Sequence, residues 1–202
     1  LNIVDKNISR LQALCDDARV ANRPHIKTHK SSVLAQRQLD AGAEGVTCQK
    51  LGEAEIMVEA GIKDILIATN IIGAARSGRL AALQRRTPLK VCADNPFSVN
   101  LYADAGRDAE RPVIVVIECD TGQKRAGVVS PEDAVALAKI VHDNPWLEFG
   151  GLMFYPPVDG WPATQQFLDT TREGLANLGL SPKIISTGGT PNLKNIGNLD
   201  GA

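Results

Sequence analysis

Residues 23–31, RPHIKTHKS, place two histidines and two lysines within a single short segment that begins next to a proline. Three kinds of chemistry fit: a solvated basic loop, a metal site on the histidines, or the end of a strand that presents a nucleophilic amine. Proline is disfavoured inside a helix, so His25 and His29 do not form the one-turn pair of a helical metal site. The sequence also lacks an HExxH motif. We therefore predict no metal site here.

The elements that would position this segment alternate between strand-like and helix-like patterns, as in parallel α/β folds. The unbroken apolar run 113–117 indicates a strand that is buried on both faces of a parallel sheet. Helical stripes with apolar residues three and four positions apart lie between the strands. The predicted strands are residues 23–27, 45–49, 64–69, 90–94, 112–120, 149–155 and 183–189.

Two architectures fit strands and helices in this order, a doubly wound sheet and a barrel. No GxGxxG motif follows the first strand, and polar residues follow several different strands. This distribution favours a (β/α)8-type parallel barrel, whose site is shared among the C-terminal ends of its strands. About seven strands are present and an eighth is absent from the pattern, so we expect an incomplete barrel. Residues 1–202 are predicted to form one domain.

The residues that end the predicted strands indicate the chemistry of the site. A lysine sheltered by a barrel is desolvated, which disfavours the ammonium form and leaves a nucleophilic amine. The segment STGGT, residues 186–190, lets backbone N–H groups approach an anion such as a phosphate. An amine together with a phosphate cradle points to pyridoxal 5′-phosphate, and a phosphate-binding barrel isomerase is the alternative. The strand-end residues are Lys27, Gln49, Asn70, Asp94, Asp120 and Tyr155.

Several of these segments together carry a family resemblance that covers nearly the whole chain. The chain is similar to the barrel domain of fold-type III pyridoxal phosphate enzymes, the alanine racemase N-terminal-like group. Within that group it most resembles the D-threonine aldolase / D-serine dehydratase family. The segments that carry the resemblance, in chain order, are RPHIKTHK, GVTCQKLGEAEIMVEAGIKDILIAT, ECDTGQKRAGV, GLMFYPP and STGGTPN.

The resemblance implies a role for individual residues. Lys27 would form a Schiff base with the cofactor, and we choose it over Lys30 because Lys27 directly ends the extended segment. Arg125 would donate to the phenolic oxygen side of the cofactor, since a guanidinium stays cationic and directional. Tyr155 would flank the cofactor near the Schiff base, which completes the predicted catalytic set. The other cofactor-binding residues implied are His25, Gln49, Thr187, Gly188, Gly189 and Thr190.

The activity that the resemblance implies is that of a lyase, which cleaves a β-hydroxy-D-amino acid to glycine and an aldehyde in a retro-aldol reaction. Two alternatives stay open: a D-serine dehydratase that releases pyruvate and ammonia, and a non-catalytic carrier of pyridoxal phosphate. The resembled family uses a divalent metal, manganese-like or zinc, bound in a C-terminal β domain. We therefore expect the chain to be truncated at both ends, and the metal to belong only to the full-length enzyme.

Composition and charge argue against other classes of protein. The chain has 22 Lys and Arg against 23 Asp and Glu, which gives no basic surface for nucleic acid. No apolar run approaches the roughly 20 residues that span a bilayer. The four cysteines form no CxxC pair, which argues against a zinc site or a disulfide framework. We expect a cytoplasmic enzyme with a small-molecule D-amino acid as its substrate and a homodimer as a candidate assembly.

Overall fold

A six-stranded parallel β-sheet forms the centre of the computed structural model, which describes residues 2–200. Each strand pairs with the next strand of the chain, so the order in the sheet is the order in the sequence. A doubly wound sheet would reverse its order at a switch point, whereas a barrel proceeds in one direction. The sheet curls into part of a barrel, and the predicted incomplete barrel is confirmed. The strands are β1 Val46–Cys48, β2 Ile65–Ile67, β3 Lys90–Ala93, β4 Val113–Cys119, β5 Leu147–Phe154 and β6 Ile184–Ser186.

Helices connect the strands, and local sequence signals explain where several of them begin. Ser31, Asn95 and Ser130 each accept a hydrogen bond from a backbone N–H in the first turn of the helix that follows. Among the described residues, no helix combines the length and the apolar character needed to span a membrane. The helices are α1 Asn2–Asp17, α2 Ser32–Asp40, α3 Leu51–Glu59, α4 Ala74–Arg86, α5 Pro96–Ala109, α6 Pro131–His142 and α7 Trp161–Ala176, with 3₁₀ turns at Ile26–Thr28 and Thr190–Asn195.

The two faces of the sheet carry different apolar clusters. Val91 and Ile117 point outward and belong to the large core between the sheet and the helices. Cys92 and Val116 point inward, where they belong to a second cluster on the concave face. Because both faces are buried, β4 needs no polar face, and this explains the unbroken apolar run that predicted it.

The prediction of a first strand at residues 23–27 is wrong in its extent. Within that segment the pairing with the sheet is limited to an isolated bridge between His25 and Thr47. The chain then turns immediately into the 3₁₀ turn Ile26–Thr28. The Nδ1 atom of His25 accepts a hydrogen bond from the backbone N–H of Lys27, and this side-chain cap competes with continued strand pairing. The sheet consequently has six strands rather than the predicted seven.

Charged side chains join the N-terminal ends of two strands to the segment that precedes the His25 bridge. Asp64 lies directly before β2 and accepts hydrogen bonds from Arg23 and from Lys90, the first residue of β3. Arg23 also pairs with Glu44 at 3.5 Å. Burial raises the pKa of Asp64, but the hydrogen bonds from Arg23 and Lys90 outweigh burial and leave that pKa below its ordinary value. The carboxylate of Asp64 therefore stabilises this end of the barrel.

Candidate active site

The inner face of the sheet becomes polar where the strands end. Side chains return to the same face at every second residue, so the face defined by Cys92 and Val116 continues to Asp94 and Glu118. In a parallel sheet these ends lie side by side and form one mouth. The residues that the alternation places there are Gln49, Asp94, Glu118 and Tyr155.

Lys27 lies at the β1 side of this mouth, in the 3₁₀ turn, and its side chain is exposed. The prediction of a sheltered lysine is therefore not met by the described residues, which leave the Lys27 side chain exposed. His25 lies beside it and places its Nε2 atom 3.1 Å from Oε1 of Gln49. Because the Nδ1 atom accepts from the N–H of Lys27, the proton of the neutral ring is on Nε2 and is donated to Gln49. This contact brings together His25 and Gln49, which were both predicted to line the same site.

His25 is held in its neutral form by its surroundings. Burial lowers the pKa of the imidazole, and the nearby ammonium of Lys27 lowers that pKa further. The hydrogen bond with Gln49 opposes this shift without reversing it. A neutral His25 keeps Nδ1 free to cap the 3₁₀ turn, so the same electrostatics that keep the ring neutral also maintain the turn that carries Lys27.

Lys30 has a different environment from Lys27. Its backbone has a positive φ of 51°, and its ammonium lies 3.5 Å from the carboxylate of Glu53. Glu53 is nearly buried and also accepts a hydrogen bond of 2.7 Å from the backbone N–H of Gln49. Lys30 is therefore engaged by α3, whereas no ion pair is formed by Lys27 within residues 2–200.

Arg125 and Tyr155 meet on the opposite side of the mouth. The guanidinium of Arg125 lies over the Tyr155 ring at 4.7 Å from its centroid, a cation–π contact. The ring of Tyr155 also lies directly against Gly189, where a Cβ atom would overlap Cε2 of the tyrosine. Three residues predicted at one site are thus brought into a single cluster, although they come from loops far apart in the sequence.

The segment 187–190 provides a fit for a phosphate group. The hydroxyl of Thr187 is buried and has no hydrogen-bond partner among the described residues. Gly188 has a positive φ and open space where a Cβ atom would lie. Asn192 anchors the segment, since its amide donates a 2.9 Å hydrogen bond to the carbonyl of Pro156. An unsatisfied hydroxyl beside an open glycine is suited to an anion with several acceptor oxygens. Thr190 is exposed at the start of the following 3₁₀ turn.

Arg125 is carried by residues 120–128, which we call the Arg125 loop. Its ends are closed by hydrogen bonds from the N–H of Asp120 to the carbonyl of Val128, and from the N–H of Val128 to the carbonyl of Glu118. The hydroxyl of Thr121 lies 2.7 Å from that of Thr164 on α7. The loop is therefore a structured element that is tied to its neighbours, and not an open connection.

The sequence predicted no function for two residues of the mouth and did not single out a third. Asn70 and Asp94 were recognised only as strand ends, yet they are joined by a 2.8 Å hydrogen bond from the Asn70 amide to the carboxylate. Glu118 was missed altogether. The available signal was that it is the one charged residue in the apolar run 113–119. It lies two positions beyond the inward-facing Val116.

Glu118 is a buried carboxylate in an acidic environment. Its side chain is only 6% exposed and lies 4.0 Å from the Arg125 guanidinium. Burial raises the pKa of Glu118, and the charge of Asp94 raises it further. Arg125 opposes this shift, while Asp120 adds to it. No group of three or more His, Cys, Asp or Glu side chains among the described residues is arranged to hold a metal ion.

Comparisons with known proteins show which family this chain resembles. The sequence matches the family described as alanine racemase, N-terminal domain, over residues 1–198. It is 39% identical to a D-threonine aldolase of Arthrobacter sp over 151 residues, which cover 75% of this chain and 40% of that protein. It is 32% identical to D-threo-3-hydroxyaspartate dehydratase of Delftia sp. (strain HT23) over 214 residues, which cover 100% of this chain and 56% of that one.

A solved structure shows the same fold. The crystal structure of D-threonine aldolase from Filomicrobium marinum superposes with a TM-score of 0.92 at 28% sequence identity. The match covers 98% of this chain and 57% of that one. The chain therefore spans about half the length of the relatives that it matches.

Proposed function

Because the chain belongs to the alanine racemase N-terminal domain family, we propose that it is the cofactor-binding barrel of a pyridoxal phosphate-dependent lyase acting on β-hydroxy-D-amino acids. The observation that carries this proposal is the contact of Tyr155 with both Arg125 and Gly189. That contact supports a single cofactor site, because it joins a residue predicted at the phenolic-oxygen side to one predicted at the phosphate side. The unsatisfied hydroxyl of Thr187 supports the phosphate end of the site.

We propose Lys27 as the residue that attaches the cofactor. Its amine lies near the neutral ring of His25, and it forms no ion pair with a described residue. Lys30, by contrast, is paired with Glu53. The Lys27 side chain is therefore available to a carbonyl carbon, whereas the Lys30 side chain is held against α3 by Glu53.

The remaining residues would bind and orient the cofactor. Thr187 and the backbone of Gly188 and Gly189 would hold the phosphate, and Thr190 would complete that segment. Tyr155 would flank the ring while the cation of Arg125 donates beside it. His25 and Gln49 would line the mouth next to Lys27. When bound, pyridoxal phosphate would withdraw electrons from the bond that breaks at the substrate's α-carbon.

The choice of reaction is also a proposal. Aldol cleavage to glycine and an aldehyde is our first choice, because the Arthrobacter relative is a D-threonine aldolase. The second candidate is dehydration. It is supported by the relative from Delftia, a D-threo-3-hydroxyaspartate dehydratase whose match covers 100% of this chain. The divalent metal, homodimeric assembly and cytoplasmic location stay predictions about the full-length enzyme.

The lysine can be identified by trapping the cofactor on the protein. We expect a visible absorbance band with pyridoxal phosphate, and borohydride should fix the cofactor's mass on the tryptic peptide that contains Lys27. Lys27→Ala should abolish both signals, and the matched Lys30→Ala should keep them. A band that survives in Lys27→Ala and is lost in Lys30→Ala would show that Lys30, and not Lys27, attaches the cofactor.

The reaction can be distinguished by its products. With a divalent metal, the full-length protein should release glycine and an aldehyde from D-threonine. A keto acid and ammonia from D-serine or D-threo-3-hydroxyaspartate would instead indicate the dehydratase. Cofactor binding without turnover of any of these amino acids would indicate the non-catalytic carrier of pyridoxal phosphate. Absence of the visible band would reject the whole proposal.

A further inference from the structure

Asp94 joins three parts of the mouth through one carboxylate. Its Oδ1 atom accepts hydrogen bonds from the side-chain amides of Asn70 at 2.8 Å and Asn95 at 2.7 Å. Its Oδ2 atom accepts a 3.0 Å hydrogen bond from the backbone N–H of Gly127. Asp94 directly follows β3 and is only partly buried. Hydrogen bonds to an ionised acceptor are stronger than neutral ones, so this residue is suited to holding the elements around it together.

The bond to Gly127 acts on the Arg125 loop at a tightly packed point. Gly127 has a φ of 113°, and a Cβ atom there would lie 2.6 Å from the backbone nitrogen of Asp120. Only glycine allows the two ends of the loop to approach so closely. The backbone N–H of this glycine donates its hydrogen bond to Asp94, which lies outside the loop. The carboxylate thus satisfies a backbone donor and fixes the path of the loop at the same time.

Arg125 depends on that path because its side chain is weakly restrained. It is 59% exposed, and its contact with Glu118 is at 4.0 Å. The stacking on Tyr155 supplies one further contact. The contact with Glu118 is at the outer limit of an ion pair, and a cation–π contact at an exposed site contributes roughly 1 kcal/mol or less. The position of the guanidinium is therefore set mainly by its backbone, two residues before Gly127.

We infer that Asp94 is a positioning residue, which holds Arg125 in place for the cofactor by fixing Gly127. The inference rests on the proposed function only in giving Arg125 a cofactor to contact. The bond between Asp94 and Gly127 crosses from β3 to the loop after β4, so it also couples the Arg125 loop to Asn70 at the end of β2. Loss of the carboxylate should therefore release the loop without changing any residue that touches the cofactor.

A double-mutant cycle tests whether Asp94 acts through Arg125. In the full-length protein, Asp94→Asn should weaken pyridoxal phosphate binding about tenfold, as expected for loss of a hydrogen bond to a charged acceptor. In an Arg125→Ala background the same change should weaken binding no further. Asn95→Ser is the matched control, because serine can still cap α5 but no longer donates an amide to Asp94. It should bind the cofactor like the wild type. Effects of Asp94→Asn that multiply with those of Arg125→Ala would overturn the inference.

A second measurement does not depend on the cofactor. Trypsin cleaves after Lys124 and Arg125, so cleavage there reports how often the loop opens in the cofactor-free protein. We expect faster cleavage in Asp94→Asn and Asp94→Ala, and a wild-type rate in Asn95→Ser. Equal rates in all four proteins would show that Asp94 does not hold the loop. If the loop opens as expected but the wild type binds no pyridoxal phosphate, the proposed function fails and the structural coupling stands.

Discussion

At the scale of single residues, Tyr155 contacts both Arg125 and Gly189. Gly189 has a φ of 115° and a ψ of 145°, a backbone conformation that is nearly restricted to glycine. It is also packed against the tyrosine ring, so two separate constraints require glycine at this position. Gly188 shares the positive φ but faces open space. A substitution at Gly188 therefore tests backbone strain alone, whereas one at Gly189 tests strain and packing together.

We predict that Gly189→Ala lowers the free energy of unfolding more than Gly188→Ala does. Each alanine adds backbone strain of roughly 1–3 kcal/mol, and the one at position 189 must also displace Tyr155. Chemical denaturation of the cofactor-free protein measures both effects under the same conditions. Equal losses in the two variants would show that the contact between Gly189 and Tyr155 contributes nothing to stability.

At the scale of the elements, ion pairs at the N-terminal end of the barrel join the start of β2 to β3 and to the segment before the His25 bridge. Asp64 supplies the shared carboxylate, and Arg23 and Lys90 supply the cations. The pKa of Asp64 is lowered in the folded protein. Its contribution to stability is consequently present above the ordinary pKa of 3.8 and is lost as the pH falls through the lowered value.

We predict that Asp64→Asn destabilises the protein by roughly 1–3 kcal/mol at neutral pH, because Arg23 and Lys90 lose the negative charge that they share. The difference from wild type should shrink at acidic pH, as the wild-type carboxylate is protonated. Glu44→Gln is the matched control, since Glu44 is 60% exposed and its pairing with Arg23 is worth about 1 kcal/mol at most. Thermal unfolding across pH measures both variants. A loss in Asp64→Asn that does not change with pH would contradict the argument.

At the scale of the whole molecule, the described residues form an open, curled sheet. On the far side of β1 there is one isolated bridge at His25, and β6 pairs with β5 alone within residues 2–200. At this edge, the partly buried Ile184 of β6 packs against the inner cluster. An open sheet edge next to apolar side chains is a surface on which another strand can pair.

We predict that residues 1–202, produced by themselves, self-associate through the β6 edge as protein concentration rises. Sedimentation velocity over a range of concentrations measures this. Ile184→Lys places a charge on the edge strand and should reduce the association, because a paired neighbour would bury that charge. A chain that stays monomeric at every concentration would show that the edge is protected by features of the described residues.

Much of this fold follows from local sequence. Strands β1 to β6 lie where apolar runs predicted them, because a parallel sheet covered on both faces needs continuous apolar residues. Asn95 and Ser130 cap α5 and α6, and such caps are local because they join residues three positions apart. The predicted strand at 23–27 fails because the ring of His25 caps the next turn, which is a local contact. The same ring also contacts Gln49, a tertiary partner that the local pattern does not contain.

The residue types of the site were readable in the sequence, but their partners were not. Lysine, arginine, tyrosine and a glycine-rich segment at strand ends predict a cofactor site, because alternation along each strand is a local property. The bond from Gly127 to Asp94 spans 33 positions, and the buried environment of Glu118 depends on β3 and the Arg125 loop together. Such contacts arise only when the sheet curls and brings distant strand ends to one mouth. The sequence thus determined which chemistry was available, and the tertiary structure decided which residues hold it in place.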